Sequence, residues 1–153
     1  MQVFTRRASE SDCEVLEVLE SEARANLDHF RGGIRLGDEF ELVGKRWASV
    51  IADSSTNTFV AGVDETVMGY LAAKLSQTKS GKIATIEQVF VTKDARNIGI
   101  GDALVSATIA WAKAESLVAL DGFALPGDRE TKNLFERSGL VARLITVTTD
   151  LKN

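Results

Sequence analysis

The segment from Val89 to Leu104 constrains the fold of this chain more than any other. It begins with alternating valines, which indicate the end of a β-strand, and passes through a short polar turn into an apolar helical pattern. The join carries Arg96, Gly99 and Gly101 in an Arg-x-x-Gly-x-Gly arrangement. Glycines there let the backbone approach a ligand closely, and the helix N-terminus behind them carries positive partial charge. The pattern therefore predicts a strand–turn–helix unit that suits a phosphate or pyrophosphate group.

Two other phosphate-binding motifs do not fit this loop. A nucleotide-binding P-loop needs a Lys-Ser/Thr pair directly after its last glycine, whereas Gly101 is followed by Asp102 and Ala103. A dinucleotide-binding fingerprint needs a third glycine three residues further on, where this chain has Leu104. A turn that uses two glycines only for its shape stays open as the alternative explanation.

Composition narrows the classes of function. A length of 153 residues with 44% hydrophobic residues predicts one globular domain over residues 1–153. The net charge of −4 argues against a chain built mainly to hold nucleic acid or an anionic membrane. A single cysteine, Cys13, and a single histidine, His29, are too few for an internal disulfide or the usual zinc sites, so no metal is predicted. Without a recognisable signal peptide or membrane-length apolar run, we expect a cytoplasmic location.

Hydrophobic periodicity predicts helices alternating with strands around an antiparallel meander. On the first helix, the glutamates at 14, 17, 20 and 22 are expected to form a solvated face. Residues 28–56 are the least patterned, and we expect a loop or short strand over 31–37 and then a helix from Asp38 to Ile51. The other predicted elements are strands over 3–7, 58–63, 67–75, 83–91, 118–125 and 140–149, and helices over 10–27, 101–115 and 129–138. This order predicts an α+β fold with a mixed, mostly antiparallel central sheet flanked by helices.

Four segments, in this order, resemble the GCN5-related N-acetyltransferase (GNAT) family, and the resemblance runs from end to end. They are Arg7-Ala8-Ser9-x-x-Asp12, Val67-Met68-Gly69-Tyr70, the loop from Arg96 to Gly101, and Asn133-Leu134-Phe135-Glu136-Arg137-Ser138-Gly139-Leu140. The resemblance implies a GNAT-like acyl-CoA N-acyltransferase fold whose sheet splays open near Val89-Phe90-Val91. It also implies that acetyl-CoA is the acyl donor.

The resemblance further implies where the donor binds. The backbone of Val89 and Val91 would bond to the pantetheine arm in the splay, and the amides between Asn97 and Asp102 would receive the pyrophosphate beside Arg96. We expect the Asp102 carboxylate to point away from that anionic group. The implied donor-site residues are Val89, Phe90, Val91, Arg96, Asn97, Ile98, Gly99, Ile100, Gly101, Asp102, Asn133, Phe135 and Arg137.

The activity that the resemblance implies is direct acetyl transfer to a primary amine, of a small molecule or of a protein or peptide, in a ternary complex. Glu87 is the candidate base, because the family often places a glutamate on this strand; an exposed, salt-bridged carboxylate is the alternative. Tyr70, the only tyrosine, is the second catalytic candidate, with a structural role in its hairpin as the alternative. The expected partners are acetyl-CoA and an amine acceptor, with no nucleic acid or membrane; the closing strand also allows a homodimer.

The chain departs from the family pattern at its last helix. Phe135 stands where the family often has a tyrosine that protonates the leaving thiolate, and Leu140 stands at the final aromatic position. This departure keeps a second hypothesis open, that of a catalytically weak or inactive acyl-CoA-binding protein with a regulatory or interaction role.

Overall fold

The computed structural model describes residues 1–152. Five strands and five α-helices lie within that range, together with three short 3₁₀ turns at Glu10–Asp12, Gly44–Arg46 and Lys93–Ala95. The strands are β1 (Val3–Arg7), β2 (Thr56–Val63), β3 (Thr66–Thr78), β4 (Gly81–Val91) and β5 (Ala119–Gly122). The helices are α1 (Cys13–Leu27), α2 (Gly33–Glu39), α3 (Trp47–Ala52), α4 (Ile100–Ala114) and α5 (Arg129–Arg137).

The strands form one mixed sheet in the order β1-β2-β3-β4-β5. The first four are antiparallel neighbours, and β5 joins the edge parallel to β4. The predicted α+β class with a mixed, mostly antiparallel sheet is therefore confirmed. Within residues 1–152, no helix is long and apolar enough to cross a membrane.

Successive side chains of each strand point to opposite faces of the sheet, and they pack into two separate hydrophobic cores. On one face, Phe59 and Leu71 pack with α4 and α5. On the other face, Val60 and Tyr70 pack with α1 and α3 around the fully buried Trp47. The helices thus cover both faces, which fixes α1 and α4 on opposite sides of β4.

The β2–β3 hairpin depends on Gly62. A Cβ there would lie 1.7 Å from the backbone oxygen of Thr66, so no larger residue fits without moving the backbone. The register between the strands shifts between Ala61 and Gly62, which indicates a bulge beside the turn. This close approach explains why a glycine stands between Ala61 and Val63 at the end of β2.

The least patterned region differs from its prediction. The loop or short strand expected over 31–37 is wrong, because α2 occupies that position. The helix expected from Asp38 to Ile51 is also wrong, since α2 ends at Glu39 and α3 begins only at Trp47. The physical reason is tertiary: the Arg24 guanidinium donates hydrogen bonds to the Gly37 and Phe40 carbonyls, which holds the end of α2 against α1.

The end of the chain differs as well. The strand predicted over 118–125 is shorter and lies at the sheet edge, where β5 keeps only four residues. The strand predicted over 140–149 is wrong for the described structure, in which residues 140–152 join no sheet. Local sequence favours an extended backbone there, but a strand also needs backbone hydrogen bonds to a neighbour, and residues 140–152 pair with neither edge of the sheet.

Candidate active site

The sheet opens where β4 and β5 separate. The two strands pair from Ile83 opposite Ala119 to Ile86 opposite Gly122, and there the pairing stops. Beyond that point β4 continues to Val91 while the chain after β5 turns toward α5. The opening therefore lies between residues 87–91 and residues 123–125, at the position that the family resemblance implied for the splay.

A β-bulge places Glu87 at the mouth of this opening. Ala72 pairs with Gln88 and Ala73 pairs with Ile86, so Glu87 is the extra residue on β4 without a partner in β3. Such bulges redirect one side chain away from the alternation of the strand, and they are common beside active sites. The Glu87 side chain is exposed and lines the cleft, whereas its neighbour Ile86 is buried.

The backbone of β4 presents free edge groups to the opening. The amide of Thr92 donates to the Met68 carbonyl at 2.8 Å, which sets the even-numbered residues of this stretch toward β3. By alternation, the backbone groups of Val89 and Val91 face the splay. In agreement, the Val91 carbonyl accepts a hydrogen bond from Arg96 Nε at 3.3 Å on that side. These groups are placed where a polar, extended ligand can pair with the strand.

The glycine loop forms a tight turn into α4. Asn97 and Gly99 both adopt left-handed backbone conformations, with φ of 67° and 91°. The amide of Ala103 makes the first helical bond, to the Gly99 carbonyl at 3.0 Å. The amides of residues 100–102 precede that bond and are free to bind an anion at the positive end of the helix. Gly99 has no atom within 4 Å of its Cβ position, so the turn opens on the surface.

The cation of the loop, Arg96, lies beside this turn. Its guanidinium is 5.8 Å from the centre of the Phe90 ring and 3.1 Å from the Glu130 carboxylate of α5. The side chain of Arg96 is 25% exposed, and that of Glu130 is 68% exposed. A phosphate arriving at the loop would compete with Glu130 for Arg96.

Of the three residues of helix α5 that were predicted to bind the donor, two are exposed and one is buried. Arg137 Nε lies 3.1 Å from Asp102 Oδ1, an exposed ion pair that turns the Asp102 carboxylate toward α5. Asn133 is exposed on the same helix. Phe135 instead belongs to the main core and is 8% exposed; a Cβ on Gly122 would come within 2.9 Å of its ring. Phe135 thus holds α5 against β5 and is not one of the side chains that line the cleft.

The cleft encloses about 180 Å³ between the splay and the first two helices. Its walls are β4, the segment after β5, and α1 with α2. The lining side chains include four carboxylates and one guanidinium, from Glu20, Glu41, Glu87, Asp128 and Arg24. The remaining lining residues are Ala23, Leu27, Leu36, Phe40, Val43, Tyr70, Ile86, Gln88, Val89, Phe123, Ala124, Leu125 and Thr131. The cleft is therefore apolar with an excess of negative charge.

Glu20 is buried at the inner end of the cleft, so its expected place on a solvated helix face is wrong. It is 2% exposed, and its carboxylate accepts hydrogen bonds from the amides of Val43 and Gly44, each at 2.8 Å. Gln88 Nε2 donates a third bond at 2.9 Å. The sequence did indicate this burial, because Glu20 lies four residues after Leu16 and therefore on the same face of α1.

Tyr70 completes a chain of side-chain hydrogen bonds that runs from β3 to α1. Its hydroxyl donates to Gln88 Oε1 at 2.5 Å, and Gln88 in turn donates to Glu20. The ring meets Trp47 edge-on, with centroids 5.7 Å apart. Burial, and then the nearby charge of Glu20, raises the pKa of Tyr70. The phenol therefore stays protonated near neutral pH, with its proton directed to Gln88.

The chain matches a protein-family model. The model described as the acetyltransferase (GNAT) family covers residues 13–140, which include every element from α1 to α5. No curated protein sequence matches the chain.

Solved structures share the whole fold at low identity. A tetramutant of the BH1408 protein from Bacillus halodurans has a TM-score of 0.79 at 20% identity, over 97% of this chain and 99% of that one. A ribosomal-protein-alanine N-acetyltransferase from Brucella melitensis biovar Abortus 2308 has a TM-score of 0.72 at 16% identity, over 99% and 100%. An aminoglycoside acetyltransferase from an uncultured soil metagenomic sample, in complex with sisomicin, has a TM-score of 0.69 at 15% identity, over 98% and 97%.

Proposed function

Because the chain belongs to the acetyltransferase (GNAT) family, we propose that it transfers the acetyl group of acetyl-CoA to a primary amine that is cationic in solution. The single observation that carries this proposal is the position of Glu87. A β-bulge directs its carboxylate into an acidic cleft that begins where the sheet opens. Donor and acceptor would thus meet beside an exposed carboxylate that lines the cleft.

The residues of the splay and the glycine loop fit the donor. Acetyl-CoA carries a pantetheine arm with amide groups and a pyrophosphate with negative charge. The backbone of Val89 and Val91 would pair with the arm, because its groups face the opening. The amides of residues 100–102 would bind the pyrophosphate at the N-terminus of α4, with Arg96 released from Glu130 to reach it.

The reaction requires the amine to lose a proton as its nitrogen attacks the thioester carbonyl. The new C–N bond forms, the C–S bond breaks, and CoA leaves as a thiolate that then takes up a proton. Glu87 would first remove one proton from the ammonium group, directly or through water, which gives the nitrogen its lone pair. The second proton, released as the C–N bond forms, passes to water and balances the proton that the thiolate takes up. No enzyme nucleophile enters this scheme, so Cys13, on the first turn of α1, has no part in it.

Tyr70 and Gln88 would act as positioning residues in this scheme. The Tyr70 hydroxyl is committed to Gln88, and Gln88 to Glu20, so these side chains hold β4 against α1 next to the bulge. This series of hydrogen bonds would fix the direction of the Glu87 side chain, and it would not exchange protons with the substrate. Protonation of the thiolate by water is the remaining route, since Phe135 has no acidic proton.

The charge of the cleft supports a cationic acceptor. Glu87 and Glu41 are exposed carboxylates of the lining, whereas Glu20 and Asp128 have hydrogen-bond partners within the chain. An ammonium group would be drawn to the exposed pair and delivered to Glu87 in its charged form. Aminoglycosides, the substrates named for one of the similar structures, are amines of this kind.

A panel of amines tests the proposal. Polyamines, aminoglycosides and a peptide with an N-terminal alanine would be incubated with acetyl-CoA, and release of CoA and the mass of the product would be measured. We expect acetylation of at least one cationic amine. In Glu87→Gln, kcat/KM for that amine should fall by about 10²-fold or more, while acetyl-CoA binding stays within about twofold.

The matched control for the base is Glu115→Gln. Glu115 is exposed and caps the far end of α4, so its loss should leave turnover unchanged. Unchanged turnover in Glu87→Gln would disprove the assignment of Glu87 as the base, and it would leave the proposed acetyl transfer standing. Binding of acetyl-CoA without acetylation of any amine would instead favour the second hypothesis, an acyl-CoA-binding protein with a regulatory role. Phe135, which supplies core packing in place of an acid, is the observation that favours that alternative.

A further inference from the structure

Apolar side chains line the part of the cleft between the first two helices and the segment after β5. They include Leu27 of α1, Leu36 of α2, Phe40 directly after α2, and Phe123 and Leu125 on the opposite wall. Phe40 and Phe123 are 40% and 38% exposed, so each ring keeps surface that a bound molecule can cover. Covering such surface with an apolar group of a ligand removes it from water and favours binding.

Helix α2 is joined to the opposite wall of the cleft at both of its ends. At its start, the Cβ position of Gly32 lies 3.5 Å from Leu125 Cδ2. At its end, the rings of Phe40 and Phe123 lie 5.5 Å apart between centroids, with their planes tilted by 30°. These two contacts make this part of the cleft a pocket rather than an open groove. A polypeptide laid across it would have to break them, whereas a small molecule would not.

Both aromatic rings stand on backbone that the fold already fixes. The Phe40 amide donates to the Leu36 carbonyl at 3.0 Å, and the Phe40 carbonyl accepts a hydrogen bond from the Arg24 guanidinium of α1. Phe123 directly follows Gly122, the last residue of β5, which is paired with β4. The rings are therefore ordered before a ligand arrives, so binding between them costs little conformational entropy.

Most polar side chains of the cleft already form hydrogen bonds within the chain. Six of the eight do so, namely Glu20, Arg24, Tyr70, Gln88, Asp128 and Thr131. The other two, Glu41 and Glu87, are exposed carboxylates. A ligand with many hydroxyl groups would lose its bonds to water here, and the engaged side chains would not replace them. The lining therefore suits one cationic group with apolar atoms beside it.

We propose that the acceptor is a small amine that carries an aromatic or branched apolar group on a short linker, and that Phe40 and Phe123 select it. This inference rests on the proposed acetyl transfer and names the class of amine that the same cleft takes. The apolar group lies against the two rings, and the ammonium group lies toward Glu87. The linker is short because the rings and Glu87 line one cleft of about 180 Å³, smaller than the roughly 300–1,000 Å³ of pockets for drug-sized ligands.

Initial rates with matched amines test the proposal. Phenylethylamine is compared with ethanolamine, which has the same two-carbon linker but a hydroxyl group in place of the ring, and with a peptide that begins with alanine. With acetyl-CoA as the donor, kcat/KM for phenylethylamine should exceed that for each of the other two by about 10-fold or more. A kcat/KM for ethanolamine or for the peptide that equals or exceeds that for phenylethylamine would overturn the proposal.

Two variants assign the preference to the rings. Phe40→Ala and Phe123→Ala should each lower the ratio of kcat/KM for phenylethylamine to that for ethanolamine by about 10-fold. A general loss of structure would instead lower both values and keep their ratio. Ile34→Ala is the matched control, because Ile34 lies on the same helix, is 67% exposed and does not line the cleft, so its ratio should equal that of the unaltered chain. A ratio that survives both ring variants would overturn the proposal.

Binding of the same amines, measured by ligand-observed NMR with CoA present, separates this proposal from the proposed acetyl transfer because it needs no turnover. If no amine is acetylated, but phenylethylamine binds and Phe123→Ala removes that binding, the acetyl transfer fails and the aromatic pocket stands. If none of the amines binds, the proposal is overturned. It is also overturned if a six-carbon acyl-CoA is used faster than acetyl-CoA and Phe123→Ala removes that advantage, because the rings then serve the acyl chain.

Discussion

Replacing Glu20 by glutamine tests the buried network that supports the cleft. One carboxylate oxygen accepts from the Gly44 amide, and the other accepts from the Val43 amide and from Gln88. In Glu20→Gln one of these oxygens becomes an NH₂ group, which cannot accept, so one or two of the three bonds is lost. A buried hydrogen bond to a charged group contributes about 1.5–3 kcal/mol, and an orphaned donor adds its own cost.

The free energy of unfolding should therefore fall by about 2–4 kcal/mol. In a domain of this size, that corresponds to a decrease in melting temperature of about 5–15 °C. Urea denaturation, followed by circular dichroism, measures the first quantity, and a thermal scan measures the second. Because Gln88 lies next to Glu87 on β4, kcat of the proposed acetyl transfer should fall as well.

Glu17→Gln is the matched control, one turn earlier on the same helix. Its carboxylate lies 3.4 Å from Lys45 Nζ, and the two side chains are 36% and 93% exposed. An exposed pair of this kind contributes at most about 1 kcal/mol, so the control should stay close to the unaltered chain. If Glu20→Gln and Glu17→Gln proved equally stable, the reasoning about Glu20 would be refuted.

Three further predictions concern the donor loop, the hairpin and the pH dependence of stability. Arg96→Ala should weaken acetyl-CoA binding about 10–100-fold in calorimetry. Glu130→Gln should strengthen it a few-fold, because it frees Arg96 from its ion pair. Equal effects of the same sign would contradict the competition between Glu130 and the donor for Arg96. Gly62→Ala should destabilise the fold by about 3 kcal/mol or more in urea, because its Cβ would overlap a carbonyl oxygen of β3. The hydrogen bond from the Arg6 guanidinium lowers the pKa of Asp12. At a pH above the ordinary carboxyl pKa, this pair therefore stabilises the fold in full. The stabilisation is lost as the pH falls through the lowered pKa. Asp12→Asn should therefore cost stability at pH 7, and that cost should shrink as the pH falls through the lowered pKa, in denaturation measured over a series of pH values.

The regular elements could be predicted from the sequence because each satisfies its own local rule. The period of two in β2, β3 and β4 and the helical period of α1 and α4 result from burying one face of each element. The start of the first helical segment is local as well, because the Ser9 amide donates to the Asp12 carboxylate at 2.8 Å, three residues further on. The splay beside Val89 and Val91 came instead from the family resemblance, since no local pattern specifies where two strands part.

The wrong predictions concern residues whose structure depends on distant partners. Helix α2 ends where the Arg24 side chain reaches its carbonyls, a contact between residues more than ten positions apart. The burial of Glu20 requires two backbone amides and Gln88, which are over twenty and over sixty residues away. Sequence periodicity reports which face of a helix is apolar, but it does not report whether a carboxylate on that face finds donors.

The sequence by itself determined most of the sheet-and-helix framework and the glycine turn before α4, because these features follow from local backbone preference. The hypothesis that Glu87 is the base came from the family resemblance. Only the tertiary structure decided that Glu87 lies on a bulge, that Glu20 is buried beside it, and that residues 140–152 join no strand of the sheet. Each of these depends on hydrogen bonds between groups far apart in the chain, whose energies are settled only when the whole fold brings them together.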